Sequence, residues 1–396
     1  MTKNTQYLKW IEISRSALAH NIGLFRAISP EATLAMAVVK SNAYGHGIRE
    51  ISSLAVKEGV DWLGVNELSE GITIREAGID KIPVLIMGAV LTDHACLVVQ
   101  NTLSTIVYTN ELIDALNEAA SRASTIATVH LKIETGLNRQ GVALDQLPEM
   151  VQKIKNARGL KLEGVSTHFA NIEDTTDHSF ALQQLKTFKK GIEIAEEIYG
   201  QKLLAHCACS AAALAVPETS FSIFRMGIGM YGMWPSKETH LSVLMSATNE
   251  KTNWKNTVDK YVQLQPVMTF KCRIAQVKNV KTGSSIGYGA TEQATHDSKI
   301  AVLPIGYYDG LDRRLSSKGQ VLIKGKRAYM RGRICMNMCM IDVTHIENVK
   351  EGDEVIVLGR DGHESVSADL IASQLGTINY EVVTKMSEAL PRIIVD

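Results

Sequence analysis

From Thr33 onward, short apolar runs alternate with amphipathic stretches, and the runs are near-continuous rather than alternating in polarity, as strands buried on both faces should be. Eight such runs occur: Thr33–Lys40, Trp62–Val65, Val84–Met87, Ser104–Val107, Ala127–Glu134, Leu162–Phe169, Leu203–Cys209 and Ser222–Gly227. Between them the periodicity predicts helices over Gly47–Glu58, Glu67–Ala77, Asn110–Ala123 and Ser179–Tyr199. A further helix over Arg15–Ala27, with Ser14 as its N-cap, precedes the first strand. Eight strand-then-helix units over roughly 200 residues fit a (β/α)8 barrel of the TIM type better than an open doubly wound sheet. The predicted class is α/β, with the barrel over 12–242.

After Gly232 the pattern changes. Pro235 to Thr257 is polar, interrupted by Leu241–Met245, and reads as a linker or surface insertion outside the active site. Beyond it, strand signals with turn residues at short intervals cover Val267–Val280, Lys299–Ile305, Gln320–Lys324, Arg327–Val343 and Glu354–Leu358. Two short helices, Ser367–Leu375 and Tyr380–Leu390, precede a last strand at Arg392–Val395. The expectation is a mainly β domain over 243–396, with residues 1–11 packing on it.

Composition narrows the partners. The 396 residues carry 42 acidic and 42 basic side chains with no basic block, so neither nucleic acid nor an anionic membrane is indicated, and a small molecule is the expected partner. The first residues lack the apolar stretch of a signal peptide and no window reaches membrane-span length, which reads as a cytoplasmic protein. The six cysteines contain no C-x-x-C pair, so buried thiols are expected rather than bridges. Cys207 and Cys209 share a strand face, but no matching ligand pair is visible, and no metal is expected.

In a barrel, chemistry sits at the C-terminal ends of the strands. Lys40, Arg139, His168, Ser210 and Arg225 all fall there, in different units. Lys40 closes an apolar strand at a glycine-punctuated polar turn, where a partly dry amine loses its proton readily and becomes a nucleophile toward an aldehyde. A surface lysine just past a buried strand would give the same segment. The glycines of Met226–Gly232 let backbone amides approach a ligand at the eighth strand, and Ser210 opens a short helix, a pairing suited to phosphate.

These segments resemble one family, the alanine racemases, over essentially the whole chain. The most specific piece is Val39-Lys40-Ser41-Asn42-Ala43-Tyr44-Gly45-His46-Gly47. Ser166-Thr167-His168-Phe169, Phe224-Arg225-Met226-Gly227-Ile228, Ile286-Gly287-Tyr288-Gly289-Ala290-Thr291 and Gly332-Arg333-Ile334-Cys335-Met336 follow in the family's order. The resemblance implies pyridoxal 5'-phosphate on the barrel and a homodimer with shared active sites, acting in D-alanine supply for peptidoglycan.

By the same resemblance, Lys40 holds the cofactor through its amine and is the base on one face of the substrate Cα, with Tyr288 of the second subunit the base on the other. Arg225 faces the pyridine nitrogen, where a guanidinium donates a hydrogen bond without surrendering its proton. His168 links the tyrosine to this arginine. Tyr44, Ser210, Gly227, Ile228 and Tyr380 surround the phosphate. Arg139 and the Met336 amide receive the substrate carboxylate, and Lys132, beside Glu134, occupies a position that is carbamylated in many members. An ion pair with Glu134 would explain Lys132 equally well. Tyr307, Arg313, Arg333 and Glu173 match the substrate corridor, Glu173 standing where aspartate is usual. Cys209 and Asn337 also depart from the common asparagine and aspartate. Tyr380 favours a small side chain, so alanine is the expected substrate, with serine or larger amino acids the alternative. A non-catalytic cofactor carrier or a decarboxylase of the same two-domain plan is the reading of a different class.

Overall fold

The computed structural model describes residues 7–247 and 263–396, and in it the eight apolar runs become eight parallel strands. They are β2 (Leu34–Val38), β3 (Trp62–Val65), β4 (Val84–Ile86), β5 (Ser104–Val107), β6 (Ala127–Lys132), β7 (Leu160–Ser166), β8 (Leu204–His206) and β9 (Ile223–Met226), while β1 (Lys9–Ser14) belongs to another sheet. Each strand from β2 to β7 pairs with the next, and β2 pairs also with β9, Met36 lying opposite Arg225. The seam between β8 and β9 is bridged by backbone bonds from Ser222 to Ala205 (2.9 Å) and from Arg225 to Ala208 (3.1 Å), which closes the barrel. Met36, Trp62, Leu85, Ile106 and Ile223 fill part of its interior. Each such side chain contributes about 1.5–3 kcal/mol by leaving water.

The helices between the strands lie close to the sequence expectation: Arg15–Ile28, Ile48–Lys57, Leu68–Glu76, Asn110–Arg122 and Ser179–Tyr199. One expectation is corrected. The polar stretch read as a linker or insertion from Pro235 contains a helix, Lys237–Ala247, in which Thr239 and Val243 are fully buried. Ser236 Oγ receives the Thr239 amide (2.9 Å) and donates to the Glu173 carbonyl (2.8 Å), so a capping serine starts a helix that composition alone disguised. Residues 248–257 of that stretch lie outside the described residues.

The second sheet is mainly antiparallel. Its order is β11 (Gln276–Val280), β12 (Ser298–Leu303), β15 (Cys339–Asp342), β14 (Lys326–Arg331), β13 (Gln320–Ile323), β16 (Glu354–Asp361), β10 (Met268–Arg273), β1 and β18 (Arg392–Val395), with β17 (Glu364–Val366) added on β16. β1 pairs antiparallel with β10 and parallel with β18, so both ends of the described chain enter this sheet. The run expected as one strand over Arg327–Val343 is two, β14 and β15, because Gly332 (φ +72°) breaks it. The last helix spans only Asn379–Thr384, shorter than the stretch to Leu390 that periodicity indicated. By its contacts the chain divides into two units, Ala17–Ala43 with Ile51–Gln265, and Met1–Ser16 with Tyr44–Glu50 and Pro266–Asp396.

Candidate active site

The strand that delivers Lys40 stops at Val38, two residues earlier than expected, and Lys40 opens a left-handed turn. Ser41, Asn42, Ala43 and Tyr44 all have φ between 52° and 55°. Four such non-glycine residues in succession cost on the order of 1–2 kcal/mol each, so something must hold them. Glu70 supplies part of the hold. Its carboxylate accepts the Ser41 amide and also the amides of Asn66 (2.7 Å) and Glu67 (3.1 Å), tying the turn to the loop after β3.

Burial lowers the pKa of the Lys40 amine below the usual lysine range; Arg139 and Arg225 add to this and Glu70 opposes it. Lys132, on β6, lies well below its ordinary value, through burial first and then the charges of Arg225 and Arg139. Among the described residues no ion pair joins Lys132 to Glu134, whose carboxylate instead receives the Gly136 amide. Glu134 acts on Lys132 only through its field, which opposes the lowering by burial and the two arginines.

Arg225, on β9, is the centre of the polar core. Its guanidinium donates to the carbonyls of Thr167 (3.0 Å), Cys207 (2.7 Å) and His206 (3.2 Å), and to Nδ1 of His206 (2.9 Å) and of His168 (3.2 Å). An arginine cannot accept, so both imidazoles present a bare Nδ1 and carry their proton on Nε2. Burial first, then the Arg225 charge, holds both histidines neutral, well below the usual histidine range. Ser210, the first residue of the helix Ser210–Ala215, accepts the amides of Gly227 (2.9 Å) and Gly229 (3.2 Å), leaving its hydroxyl proton to donate. Ile228 follows in the same turn, fully enclosed.

One unit thus brings together Lys40, Lys132, Arg139, His168, Ser210, Arg225, Gly227 and Ile228. Glu173 stays in it too, with its carbonyl taken by Ser236 and its charge helping burial to raise the Cys209 thiol. In the other unit the rings of Tyr44 and Tyr380 lie 6.2 Å apart. The backbone oxygens of Cys335 and Met336 receive the amides of Tyr307 (3.1 Å) and Tyr308 (3.0 Å), and Arg333 lies against Gly289, next to Tyr288. Tyr288 is 70% exposed, and Arg313, Arg333, Met336 and Asn337 are exposed as well.

Sequence reasoning missed Glu70, His130 and His206. His130 precedes Lys132 by two residues, so period-two alternation puts both on the inner face of β6, and a polar residue inside an otherwise apolar run was the available signal. Glu70 carries no such mark, because a glutamate in the first turn of a helix is ordinary.

The donor set can be tested against a cofactor with an aldehyde, an aromatic nitrogen and a phosphate. The aldehyde needs an amine with a depressed pKa, the nitrogen a fixed N–H donor, and the phosphate a cluster of hydroxyl and amide donors. Lys40, Arg225 and the Ser210 hydroxyl beside the Ile228 amide provide these in one barrel, while the Gly227 amide is turned to Ser210, so the residues fit.

A closed parallel barrel with a lysine amine at a strand end, in one chain with a mainly β domain, defines a class of two-domain barrel enzymes. Family models for the alanine racemase N-terminal and C-terminal domains match residues 13–235 and 267–394. The chain belongs to the alanine racemase family and is an amino-acid racemase. It is 40% identical over 394 residues to the alanine racemase of Leptospira interrogans serogroup Icterohaemorrhagiae serovar copenhageni, covering 98% of this chain and 96% of that one. Among solved structures, the alanine racemase of Clostridium difficile 630 superimposes with a TM-score of 0.88 at 32% identity, covering 98% and 96% of the two chains. The histidine racemase of Leuconostoc mesenteroides subsp. sake does so with a TM-score of 0.86 at 26% identity over 99% of each. No helix among the described residues is long and apolar enough to cross a membrane.

Proposed function

We propose that this protein is a pyridoxal-phosphate-dependent alanine racemase, interconverting L- and D-alanine in the cytoplasm as a homodimer and supplying D-alanine for cell-wall synthesis. The observation that carries the reading is the depressed Lys40 amine in one barrel core with the buried, five-fold hydrogen-bonded Arg225. The 40% identity to an alanine racemase over nearly the whole chain supports the choice of substrate.

When bound, pyridoxal phosphate supplies an aromatic system that takes up the electron pair left when the α-proton departs. Lys40 Nζ would hold the cofactor at its aldehyde group and would move the proton on one face of the substrate Cα. Tyr288, exposed on its turn, moves the proton on the opposite face in the site of a second copy. Inversion requires both, since a single base returns the proton to the face it left. Arg225 donates to the ring nitrogen and keeps its own proton, which limits charge uptake by the ring and disfavours side reactions. His168, neutral with its proton on Nε2, orients the tyrosine toward the arginine. Ser210, the Ile228 amide, Tyr44 and Tyr380 would hold the phosphate, with the Gly227 amide, which donates to Ser210, fixing the turn beneath it. Arg139 and the Met336 amide hold the substrate carboxylate. Lys132, buried and easily neutral, is the candidate for carbamylation, which would give Arg139 an anionic partner.

The likeness to a histidine racemase favours one second reading, a racemase of broader specificity, with Cys209 and Asn337 in place of the usual residues. Purified protein loaded with the cofactor and incubated with L-alanine in deuterated water should form D-alanine deuterated at Cα. Exchange without inversion would mean that one base works alone, and faster turnover of serine or histidine would move the assignment to the second reading. Cofactor binding with no racemisation of any amino acid would make the chain a carrier.

A further inference from the structure

Arg225 buries a full charge without a carboxylate in contact, since all five of its hydrogen-bond partners are carbonyl oxygens or neutral imidazoles. A buried guanidinium needs a counter-charge, or at least aligned dipoles, to offset the lost hydration. The structure supplies both through a line of groups that runs inside the barrel. His206 Nδ1 accepts from Arg225 at 2.9 Å, and His206 Nε2 lies 2.9 Å from His130 Nδ1. With its proton on Nε2, His206 must be the donor in that contact, so His130 in turn carries its proton on Nε2. That nitrogen is buried, makes no hydrogen bond, and points at Glu163 Oε2 on β7, 3.6 Å away. The direction is the same at every step: the cation donates at one end and the carboxylate faces the last N–H at the other.

The line is built rather than incidental. Both histidines are fully buried, Trp62 packs edge-on against His130 at 5.4 Å, and the two imidazoles meet edge to face at 5.1 Å. Gly164 makes the space, because a Cβ there would stand 2.7 Å from His130 Nδ1. Glu163 is the half-buried end of the line, its other oxygen paired with Lys161 at 2.9 Å on the strand surface. It lies with Arg75, Lys81 and Thr128 around a cavity at the start of the strands, the end opposite to Lys40. A separation of 3.6 Å is outside hydrogen-bond range, so the carboxylate acts on His130 through its field.

We propose that His130 and Glu163 are positioning residues for Arg225, acting through His206: they fix the direction of the imidazole line and supply its counter-charge from the far end of the barrel. This arrangement has a reason. A carboxylate placed directly on the guanidinium would compete for Nε–H, the one N–H that none of these five bonds uses, whereas a counter-charge two imidazoles away leaves it to the barrel's open end. The consequence for catalysis rests on the reading above that Arg225 donates to the cofactor ring.

The test has a part that needs no cofactor. Nitrogen-15 spectra of the histidine side chains in the unloaded protein should show His130 and His206 as neutral Nε2–H tautomers. In His130→Phe, which keeps an aromatic ring, somewhat larger, and removes both ring nitrogens, the His206 Nε2–H signal should shift as it loses its acceptor, and in the loaded enzyme the cofactor absorbance maximum should move while kcat falls about tenfold with KM within about twofold. His130→Gln, which returns an acceptor oxygen, should recover part of both. Glu163→Gln, at a half-buried site safe for folding, should shift the His130 Nε2–H signal and, to a lesser degree, that of His206. Should His130→Phe fail to fold, Glu163→Gln carries the decision. Spectra of His206 that are unchanged in the variants, with an unmoved absorbance maximum, would reduce the line to packing and overturn the proposal. Wild-type protein that racemises nothing would sink the functional reading alone, since the unloaded spectra would still decide the line.

Discussion

Nη1 of Arg225 lies 2.9 Å from Nδ1 of His206, and because only the arginine can donate, this one contact fixes the histidine as neutral with its proton on Nε2. From that tautomer the protonation of the polar barrel core can be read outward. His168 is fixed by the same argument, and both rings sit where an added proton would meet the guanidinium charge.

Acid should therefore destabilise the fold in two windows. His130, His168 and His206 have folded pKa values below the usual 6.5, so their neutral forms support stability above that pH and the support is lost as pH falls beneath it. Each histidine that stays neutral when folded costs about 1.4 kcal/mol per pH unit below its unfolded pKa. Glu163, held by His130 and Lys161 at about 2 against an ordinary 4.5, adds a second loss between those values. Urea midpoints of the unloaded protein should fall clearly between pH 7 and pH 5.5. A flat profile to pH 5 would show that the imidazoles are already charged.

Arg225→Lys should cost about 2–3 kcal/mol in denaturant unfolding, because three ammonium donors cannot serve five acceptors spread over the C-terminal ends of β7 and β8. An unchanged midpoint would mean that water replaces the fork.

Lys132→Met should stabilise the unloaded protein by about 1–2 kcal/mol near neutral pH, since a buried amine among like charges is replaced by an apolar chain of similar length. The same sign applies to pH: with its folded pKa depressed, Lys132 destabilises while protonated, and stability should rise as pH climbs toward 10.5. Denaturation of both proteins across pH 7 to 10 compares the two effects. A loss of stability in the variant would point to an anionic modification of Lys132 in the wild type.

Gly45→Ala should destabilise by more than about 2 kcal/mol. Gly45 has φ +80°, and a Cβ there would stand 2.0 Å from the Val383 carbonyl oxygen. Thermal unfolding of the variant with no change in midpoint would show that the turn after Lys40 can relax.

Tyr288→Phe should leave the unfolding midpoint within about 0.5 kcal/mol of wild type, because the side chain is 70% exposed, and should abolish most racemisation while sparing cofactor binding. Retained inversion would remove Tyr288 from the mechanism.

Much of this was legible in the sequence, for reasons that differ by element. Buried parallel strands need apolar residues on both faces, so β2 to β9 announced themselves. The helix Lys237–Ala247 did not, because its buried face comprises few residues and its cap is a serine in a polar stretch. Lys40 stood out by its motif, but the left-handed turn that follows it could not be read from Ser41-Asn42-Ala43-Tyr44, residues without glycine's tolerance for positive φ. That conformation is held in part by Glu70 and the loop after β3, partners brought in from elsewhere in the chain.

Local pattern by itself determined that this chain builds a barrel and a β domain, and which lysine and arginine lie at strand ends, because alternation and strand order follow from side-chain polarity and chain continuity. What only tertiary structure decided is the charge state of that core. His130 and His206 are separated by 76 residues and Glu163 lies between them in sequence, so their line toward Arg225 exists only when β6, β7, β8 and β9 share one interior. A tautomer depends on which groups meet across that interior, and the order of residues along a strand does not record it.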